Sequence, residues 1–513
     1  MKRFLERYDD RIEGILSGFD RVVFRGSLTS INYPAALQAW LNSQGILLKD
    51  CKGKFKELSE EIKEGGQALA EQHKRPYRYI CSPKESKEDW ARSIQEKDKI
   101  EEGLICVVGC VESCRTFRVG SNWTKRGQPR LVLRVAYRKC LHLYFYYMDR
   151  ELGLMHIRIE TWLPFMIQVC CNGREYLARQ MDRRGINYER RGNCFPHIEK
   201  LSAAQRILDR LHERKWAPLL HVFASRANPL LAHGNLSLRH YYWTFWESEY
   251  ATDVMFREAK LLDEIYPALV RQAIHHFHSQ DVLRFLGRRT NIRFRGEVRT
   301  HLAERIEGVR VRHWVEENSI KMYDKQGSVL RIETTINDPR RFRVRRRVMR
   351  KGQRVLAWVN MRKGIADIRR RVEVSRAANQ RYLEALSVVG LTMPSHRLLD
   401  PVSRPVVIGD RRYRRLEPIA PNDCSLFAEI LRGEYAIDGF RNRDLFEHAR
   451  ERHPKLTPRA VSAWITRHLR LCRAHGLIFK VPNRSLYRIT EKGRTVMTRA
   501  LELREYSGVK LAA

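Results

Sequence analysis

The sequence predicts an α+β multidomain protein: an N-terminal α/β region, a central antiparallel β-sheet domain with long helices, and a C-terminal segment in which helices precede a β ribbon. Helical and extended patterns alternate over residues 1–135, apolar residues recur at period two from Cys140 and again from Val309, and a capped helical series closes the chain. A length of 513 residues allows about three domains. The expected boundaries are an N-terminal domain over 1–135, a central basic domain over 136–395, a Pro-rich linker over 396–420 with Pro401, Pro405 and Pro418, and a C-terminal domain over 421–513.

Composition narrows the function classes. Hydrophobic residues make up 43% and aromatics 10%, which excludes disorder as the dominant state. Lys and Arg number 97 against 59 Asp and Glu, a formal charge of +38. Such a charge calls for an anionic partner, and nucleic acid comes first. No stretch is long and apolar enough for a membrane span, and Glu6 interrupts the N-terminus before a signal-peptide core can form, so a cytoplasmic protein with no membrane partner is expected. The 11 cysteines lack the density of a disulfide scaffold and are expected as reduced, mostly buried thiols. Cys106, Cys110 and Cys114 would gather three thiolates if helical, but the surrounding Val-rich segment predicts a buried strand.

In the first section, Phe19 to Gly26 predicts a strand closed by glycine, and Pro34 opens a helix through Leu41. Lys52 to His73 predicts a helix with a break at Gly65-Gly66. From Cys140, two strands flank the hairpin loop Asp149 to Gly153. Alternation puts Leu141, Leu143, Phe145, Ile157 and Ile159 on one face and His142, Tyr144, Tyr146, His156, Arg158 and Glu160 on the other. That second face suits stacked bases beside phosphates, with Tyr144, Tyr146 and Arg158 as contacts; it equally suits a second core layer.

Leu238 to Arg289 is expected to be helical, which places Glu249 and Asp253 on one helical face where two carboxylates would share Mg or Mn. A solvated helix face is the competing reading. His276-Phe277-His278 has the His-hydrophobic-His spacing of a metal pair, but that chemistry needs a strand and the segment reads as helix. Val309 to Trp314 and the hairpin Ser319 to Ile336 carry the strongest β signal. Period two sends Ile320, Met322, Leu330 and Ile332 inward and groups Lys321 and Tyr323 with Arg331, Glu333 and Thr335. The following run holds Arg340, Arg341, Arg343, Arg345, Arg346, Arg347, Arg350 and Lys351 without an acid, which favours phosphate contact over a solvated face of mixed charge.

At the C-terminus, short helices around Cys424–Leu431 and Asn442–Arg450 precede a helix capped by Thr457-Pro458 and ended by Gly476, and a ribbon follows with its turn at Pro482 to Arg484. This order resembles the winged helix-turn-helix domains of bacterial regulators and replication proteins. The resemblance implies DNA in contact with Arg467, Arg470 and Arg473 on the third helix and with Lys480 and Arg484 near the wing. Tyr323-Asp324-Lys325 followed by Leu330-Arg331-Ile332-Glu333 resembles a tyrosine-x-lysine and leucine-arginine-x-glutamate pattern of phage and plasmid replication initiators. It would imply a nucleophilic Tyr323, a metal-proximal Glu333, and Lys325 and Arg331 as cations that stabilise a phenolate. A hydrolytic alternative draws on carboxylates such as Asp20, Glu249 and Asp253. The expected function is a DNA-binding protein of mobile-element or replication-initiator type with metal-dependent strand cleavage; the alternatives are a component of a ribonucleoprotein that holds structured RNA, and a non-catalytic winged-helix regulator.

Overall fold

The computed structural model describes residues 1–82, 84–123, 127, 129–232, 240–288, 296–305, 308–350, 352–387 and 395–505. They form two compact units, each drawn from separate stretches of chain. One comprises Ile15–Asp253 and Glu333–Arg376, the other Met1–Gly14, Val254–Ile332 and Ala377–Ala513. The mixed α and β composition matches the expected α+β class.

In chain order, α1 (Lys2–Arg7) precedes the long strand β1 (Ile12–Leu28), α2 (Pro34–Ser43), α3 (Cys51–Gln72), β2 (Tyr77–Tyr79), α4 (Lys87–Lys97), β3 (Gly103–Trp123) and β4 (Pro129–Asp149). Strands β5 (Gly153–Glu160) and β6 (Ile167–Asn172) lead into α5 (Gly173–Asp182), the hairpin β7 (Tyr188–Arg191) and β8 (Cys194–Ile198), α6 (Leu201–Glu213), α7 (Trp216–Ala227) and β9 (Tyr241–Phe256). Then come α8 (Ala259–His275), α9 (Ser279–Phe285), β10 (Val298–Arg305), β11 (Gly308–Val315), β12 (Asn318–Lys325), β13 (Val329–Ile336), β14 (Arg343–Arg350), β15 (Gln353–Asn360) and α10 (Ile368–Leu386).

Within the unit built on Ile15–Asp253, the sheet runs β13-β9-β1-β6-β5-β4-β3-β2. It is mixed: β2 pairs parallel with β3, while β3 to β6 and β1 pair antiparallel. Period-two alternation buries Leu143, Phe145, Ile157 and Ile159 in one core with Phe55, Leu58 and Ile62 of α3. Helix α3 runs without interruption through Gly65-Gly66, where a break was expected. A Cβ on Gly66 would lie 2.5 Å from Leu143 Cδ1, so glycine lets the helix approach the sheet rather than ending it.

The register pairs His142 with Glu160, Tyr144 with Arg158 and Tyr146 with His156, so these six side chains do share the second face. Helix α4 covers much of that face: Tyr146 is buried with Ala91, Cys106, Val108 and Leu154, and Tyr144 packs beside them. Cys106, Cys110 and Cys114 lie on strand β3, four residues apart and so separated by roughly 13 Å of strand rise each, too far to share an ion.

The expected helix over Leu238 to Arg289 divides into strand β9 and helices α8 and α9. Burial in β9 alternates, with Tyr241, Trp243 and Phe245 buried against exposed Tyr242 and Trp246. Aromatic side chains fit a pleated, half-buried surface, and their density here hides the alternation.

In the other unit, β10, β11, β12 and the first part of β13 are neighbours in order, and Ile320, Met322, Leu330 and Ile332 are buried as expected. The C-terminal stretch adds α11 (Ser395–Leu399), the ribbon β16 (Val406–Ile408) and β17 (Arg411–Tyr413), α12 (Pro421–Ile430), α13 (Gly433–Asp438), α14 (Phe446–Arg452), α15 (Pro458–Ala474), the ribbon β18 (Ile478–Lys480) and β19 (Tyr487–Ile489), and α16 (Glu491–Glu505). Thr457 caps α15 by accepting from the Ala460 amide, and Gly476 follows at φ 71°. The helices-then-ribbon order is present, with α13 and α16 in addition.

Candidate metal centre

Three carboxylates meet on three neighbouring strands. Asp20 comes from β1, Glu249 from β9 and Glu333 from β13, and their oxygens all lie within 4.8 Å of one another. All three belong to the same compact unit. Asp20 and Glu333 are buried, while Glu249 is half-buried and opens the cluster to its surroundings. Hard divalent cations take carboxylate oxygens at about 2.0–2.6 Å, so opposed ligands on one ion stand about 4–5 Å apart and the cluster has that size. An ion held there would supply Lewis acidity and lower the pKa of a coordinated water.

Glu249 and Asp253 are four residues apart on a strand rather than on a helix, which separates their backbones by roughly 13 Å. The pair therefore divides: Glu249 joins Asp20 and Glu333, and Asp253 takes another partner. The fully buried Arg174 donates from Nη2 to Asp253 Oδ2 at 2.8 Å, and its Nε lies 3.9 Å from Asp20 Oδ1. Asn193, in the β7–β8 hairpin, donates from Nδ2 toward both Asp20 oxygens at 3.4 and 3.2 Å. Asn193 thus orients the Asp20 carboxylate by hydrogen bonding, and the Arg174 guanidinium adds a positive charge beside it.

Local sequence explains how Arg174 reaches this place. Asn172 caps α5 by accepting from the Arg174 and Glu175 amides, which starts the helix directly at the end of β6. A Cβ on Gly173 would stand 1.8 Å from the Phe19 carbonyl oxygen. Only glycine lets the first turn of α5 press against β1, and the residues next to the contact are Arg174 and Asp20. Neither Arg174 nor Asn193 was legible as a site residue: a buried arginine and a hairpin asparagine carry no motif, and the Asn-Gly step before Glu175 signals only a helix start. On the neighbouring positions, Arg21 donates to Glu247 at 3.0 Å, and although burial opposes its charge, Cys170, Glu247 and Glu249 more than offset that and raise its pKa.

The other candidate residues lie as follows. Tyr323 and Lys325 end β12 and Arg331 stands in the first part of β13, all in the unit that contains Val254–Ile332, whereas Glu333 opens the segment of the other unit. Tyr323 is half-buried, with Lys325 Nζ 6.0 Å from its ring centroid, and Arg331 is buried. Tyr144 and Arg158 both bond to Glu112, and burial works against that carboxylate while the Tyr144 hydroxyl and Arg158 pull its pKa down to about 2. Tyr144 and Arg158 are thus committed to a protein carboxylate, and Tyr146 is covered.

The arginine run forms η-turn and strand. Arg340 is exposed and pairs with Asp338 at 2.8 Å, Arg341 is exposed, and Arg343, Arg345, Arg346, Arg347 and Arg350 make up much of β14. Arg346 turns back to Asp367 at 3.5 Å, and Lys351 lies outside the described residues. In the C-terminal stretch, Arg467, Arg470 and Arg473 are exposed on α15, and Lys480 and Arg484 are exposed at the β18–β19 ribbon. His276, Phe277 and His278 fall between α8 and α9, where Phe277 packs at 5.2 Å from the Tyr382 ring, so they do not form a strand-borne pair.

No helix among the described residues is long and apolar enough to cross a membrane. No protein-family model matches the sequence, and no significant match exists among the curated proteins or the solved structures compared with it.

Proposed function

We propose that this chain is a nucleic-acid-processing protein of mobile-element or replication type that cleaves DNA strands with divalent metal at Asp20, Glu249 and Glu333. The single observation that carries the reading is the convergence of these three carboxylates from separate strands within 4.8 Å, in a chain of formal charge +38. Carboxylates this close are a hard-oxygen donor set that suits Mg²⁺ or Mn²⁺, and an ion held by so few protein ligands would keep coordination sites for water and a phosphate oxygen. Asp20, Glu249 and Glu333 would hold the ion, which when bound would supply Lewis acidity toward a phosphodiester and lower the pKa of a coordinated water. Asn193 hydrogen-bonds Asp20, and Arg174 sets a positive charge beside it. The winged-helix reading of the C-terminal helices and ribbon adds a second DNA contact through Arg467 and Arg470.

This reading is hydrolytic and leaves Tyr323 outside the chemistry. The test is cleavage of single- and double-stranded DNA and of RNA with Mg²⁺ or Mn²⁺, with EDTA as the blank. Asp20→Asn, Glu249→Gln and Glu333→Gln should each abolish cutting, while Tyr323→Phe should cut normally and no covalent adduct should form. A phosphotyrosine adduct lost in Tyr323→Phe would establish the nucleophilic alternative instead. Absence of cleavage on every substrate would reject catalysis, and cutting of RNA alone would assign the chain to RNA.

A further inference from the structure

We propose that the exposed face of the β14–β15 ribbon is a docking surface for the major groove of duplex DNA. The inference rests on the nucleic-acid reading above and adds the form of the nucleic acid and the side chains that grip it.

The antiparallel register pairs Arg345 with Trp358, Arg347 with Leu356 and Met349 with Arg354. These positions share one face by alternation, and all are exposed: Met349 at 63%, Leu356 at 56% and Trp358 at 58%. Neither strand contains an acidic residue. Among the described residues, the side chains of Arg345, Arg347 and Arg354 make no hydrogen bond or ion pair. The opposite face is occupied. Val344 is buried, Arg346 reaches Asp367, and Arg370 Nε donates to the Arg345 carbonyl at 3.3 Å. The ribbon is therefore fastened on one side to the start of α10 and presents cations with interleaved apolar surface on the other.

Shape selects among polyanions. Two strands about 4.8 Å apart, with side chains standing off them, make a body that the B-form major groove, about 12 Å wide and 8.5 Å deep, admits. The A-form major groove is deep and narrow and does not admit it. Arg345 and Arg347 stand about 6.7 Å apart along the strand, so both reach backbone phosphates or guanine edges from one docked pose. Leu356 and Trp358 offer apolar surface for thymine methyl groups. Single-strand surfaces stack successive bases on several aromatic rings, and this face has one.

The full chain is to be titrated in EDTA with a DNA duplex, the RNA duplex of the same sequence and the DNA single strand, over a range of salt. The DNA duplex should bind at least about tenfold tighter than the RNA duplex. The triple variant Arg345→Gln, Arg347→Gln, Arg354→Gln should flatten the log–log salt slope for DNA duplex by up to about 2.7, at about 0.9 per phosphate lost, and bring its affinity near that of RNA duplex. Trp358→Ala should leave single-strand binding unchanged. An unchanged slope in the triple variant, equal affinity of the native chain for both duplexes, or a single-strand preference that Trp358→Ala removes would each overturn the proposal. Circular dichroism melting of the variants, changed only at exposed positions, should match that of the native chain. Cleavage measured on the same preparations separates the two readings. Metal-dependent cutting with no ribbon effect overturns this proposal alone, and ribbon-dependent duplex binding without cutting overturns only the catalytic reading.

Discussion

Replacing Arg174 by Met tests the carboxylate cluster from its least obvious member. The guanidinium is fully buried and holds Asp253 at 2.8 Å, with Asp20 at 3.9 Å. Met keeps much of the volume and removes the charge, so Asp253, a buried carboxylate, loses the guanidinium that pairs with it. Breaking one side of such a pair costs about 3–5 kcal/mol. Asp253→Asn in the same background should recover most of that loss, because the stranded charge is gone. A second effect has the opposite sign. Arg174 is a positive charge beside Asp20, and its removal should tighten Mn²⁺ at the trio while weakening the fold without metal. Denaturant unfolding with and without Mn²⁺ reads both effects: metal at a hundredfold over its dissociation constant stabilises by about 2.7 kcal/mol, and the Arg174→Met chain should reach that gain at lower Mn²⁺ than the native one. A loss below about 1 kcal/mol, the range of exposed pairs, would refute the burial reasoning. Equal Mn²⁺ stabilisation in native and Glu249→Gln chains would refute the trio as the binding site.

The remaining predictions are narrower. Gly173→Ala must open the α5–β1 contact by at least about 1 Å, because the new Cβ would otherwise sit 1.8 Å from the Phe19 carbonyl. It should cost about 1–3 kcal/mol in denaturant unfolding and about a hundredfold in cleavage rate through displacement of Arg174. His313 is buried against Tyr382 at 3.0 Å, and burial pushes its pKa down to about 4. Its stability contribution is complete above the unfolded value of about 6.5 and falls by up to about 1.4 kcal/mol per pH unit between pH 6.5 and 4; His313→Gln should flatten that part of the unfolding profile. Arg467→Ala and Arg470→Ala should relax sequence preference by about 1–3 kcal/mol if either reads a guanine edge, and equal losses on all duplexes would make α15 a backbone contact.

The parts of the fold that local pattern dictates were legible. Strict alternation over Leu141 to Glu160 set both faces, and Thr457-Pro458 with Gly476 bounded α15 correctly, whereas over Ile320 to Ile332 the opposite face is buried as well, with Lys321, Arg331, Glu333 and Thr335 covered. Where long-range packing decides, local pattern misled. Gly65-Gly66 reads as a break until Pro229 and Leu143 stand against it, and the aromatic run Tyr241 to Tyr250 conceals a strand. The acid pair Glu249 and Asp253 was visible, but its spacing was interpreted with the helical period. Only the strand order brings Asp20, Glu249 and Glu333 together across more than 300 residues of sequence. Units assembled from separate chain segments have no linear signature at their boundaries.

The distribution of charge gives the carboxylate cluster its significance. A protein with 97 basic residues has no shortage of cations to neutralise buried acids: Glu175 holds Arg92 and Arg190, Glu112 holds Arg158 and Lys87. Beside the cluster, Arg174 pairs with Asp253 at 2.8 Å and stands 3.9 Å from Asp20, and Arg21 lies near enough to Glu249 for that carboxylate to raise its pKa. A guanidinium placed between the three carboxylates would block a divalent ion there, by charge and by volume. The exposed arginines of β14 lie in the same unit, on a ribbon apart from the cluster. On the proposed reading, basic side chains on the outside would attract a polyanion at long range and the inner acids would hold an ion; mixing the two sets would cancel both fields. The variant that puts this separation to the test is Glu249→Lys, which fills the half-buried position with an ammonium. It should unfold no more easily than the native chain in EDTA, because the new cation meets Asp20 and Glu333, lose all Mn²⁺-dependent stabilisation, and bind duplex DNA at least as tightly. Weaker DNA binding by Glu249→Lys would mean that the cluster itself takes part in holding the backbone, and the division between inner acids and outer bases would fall.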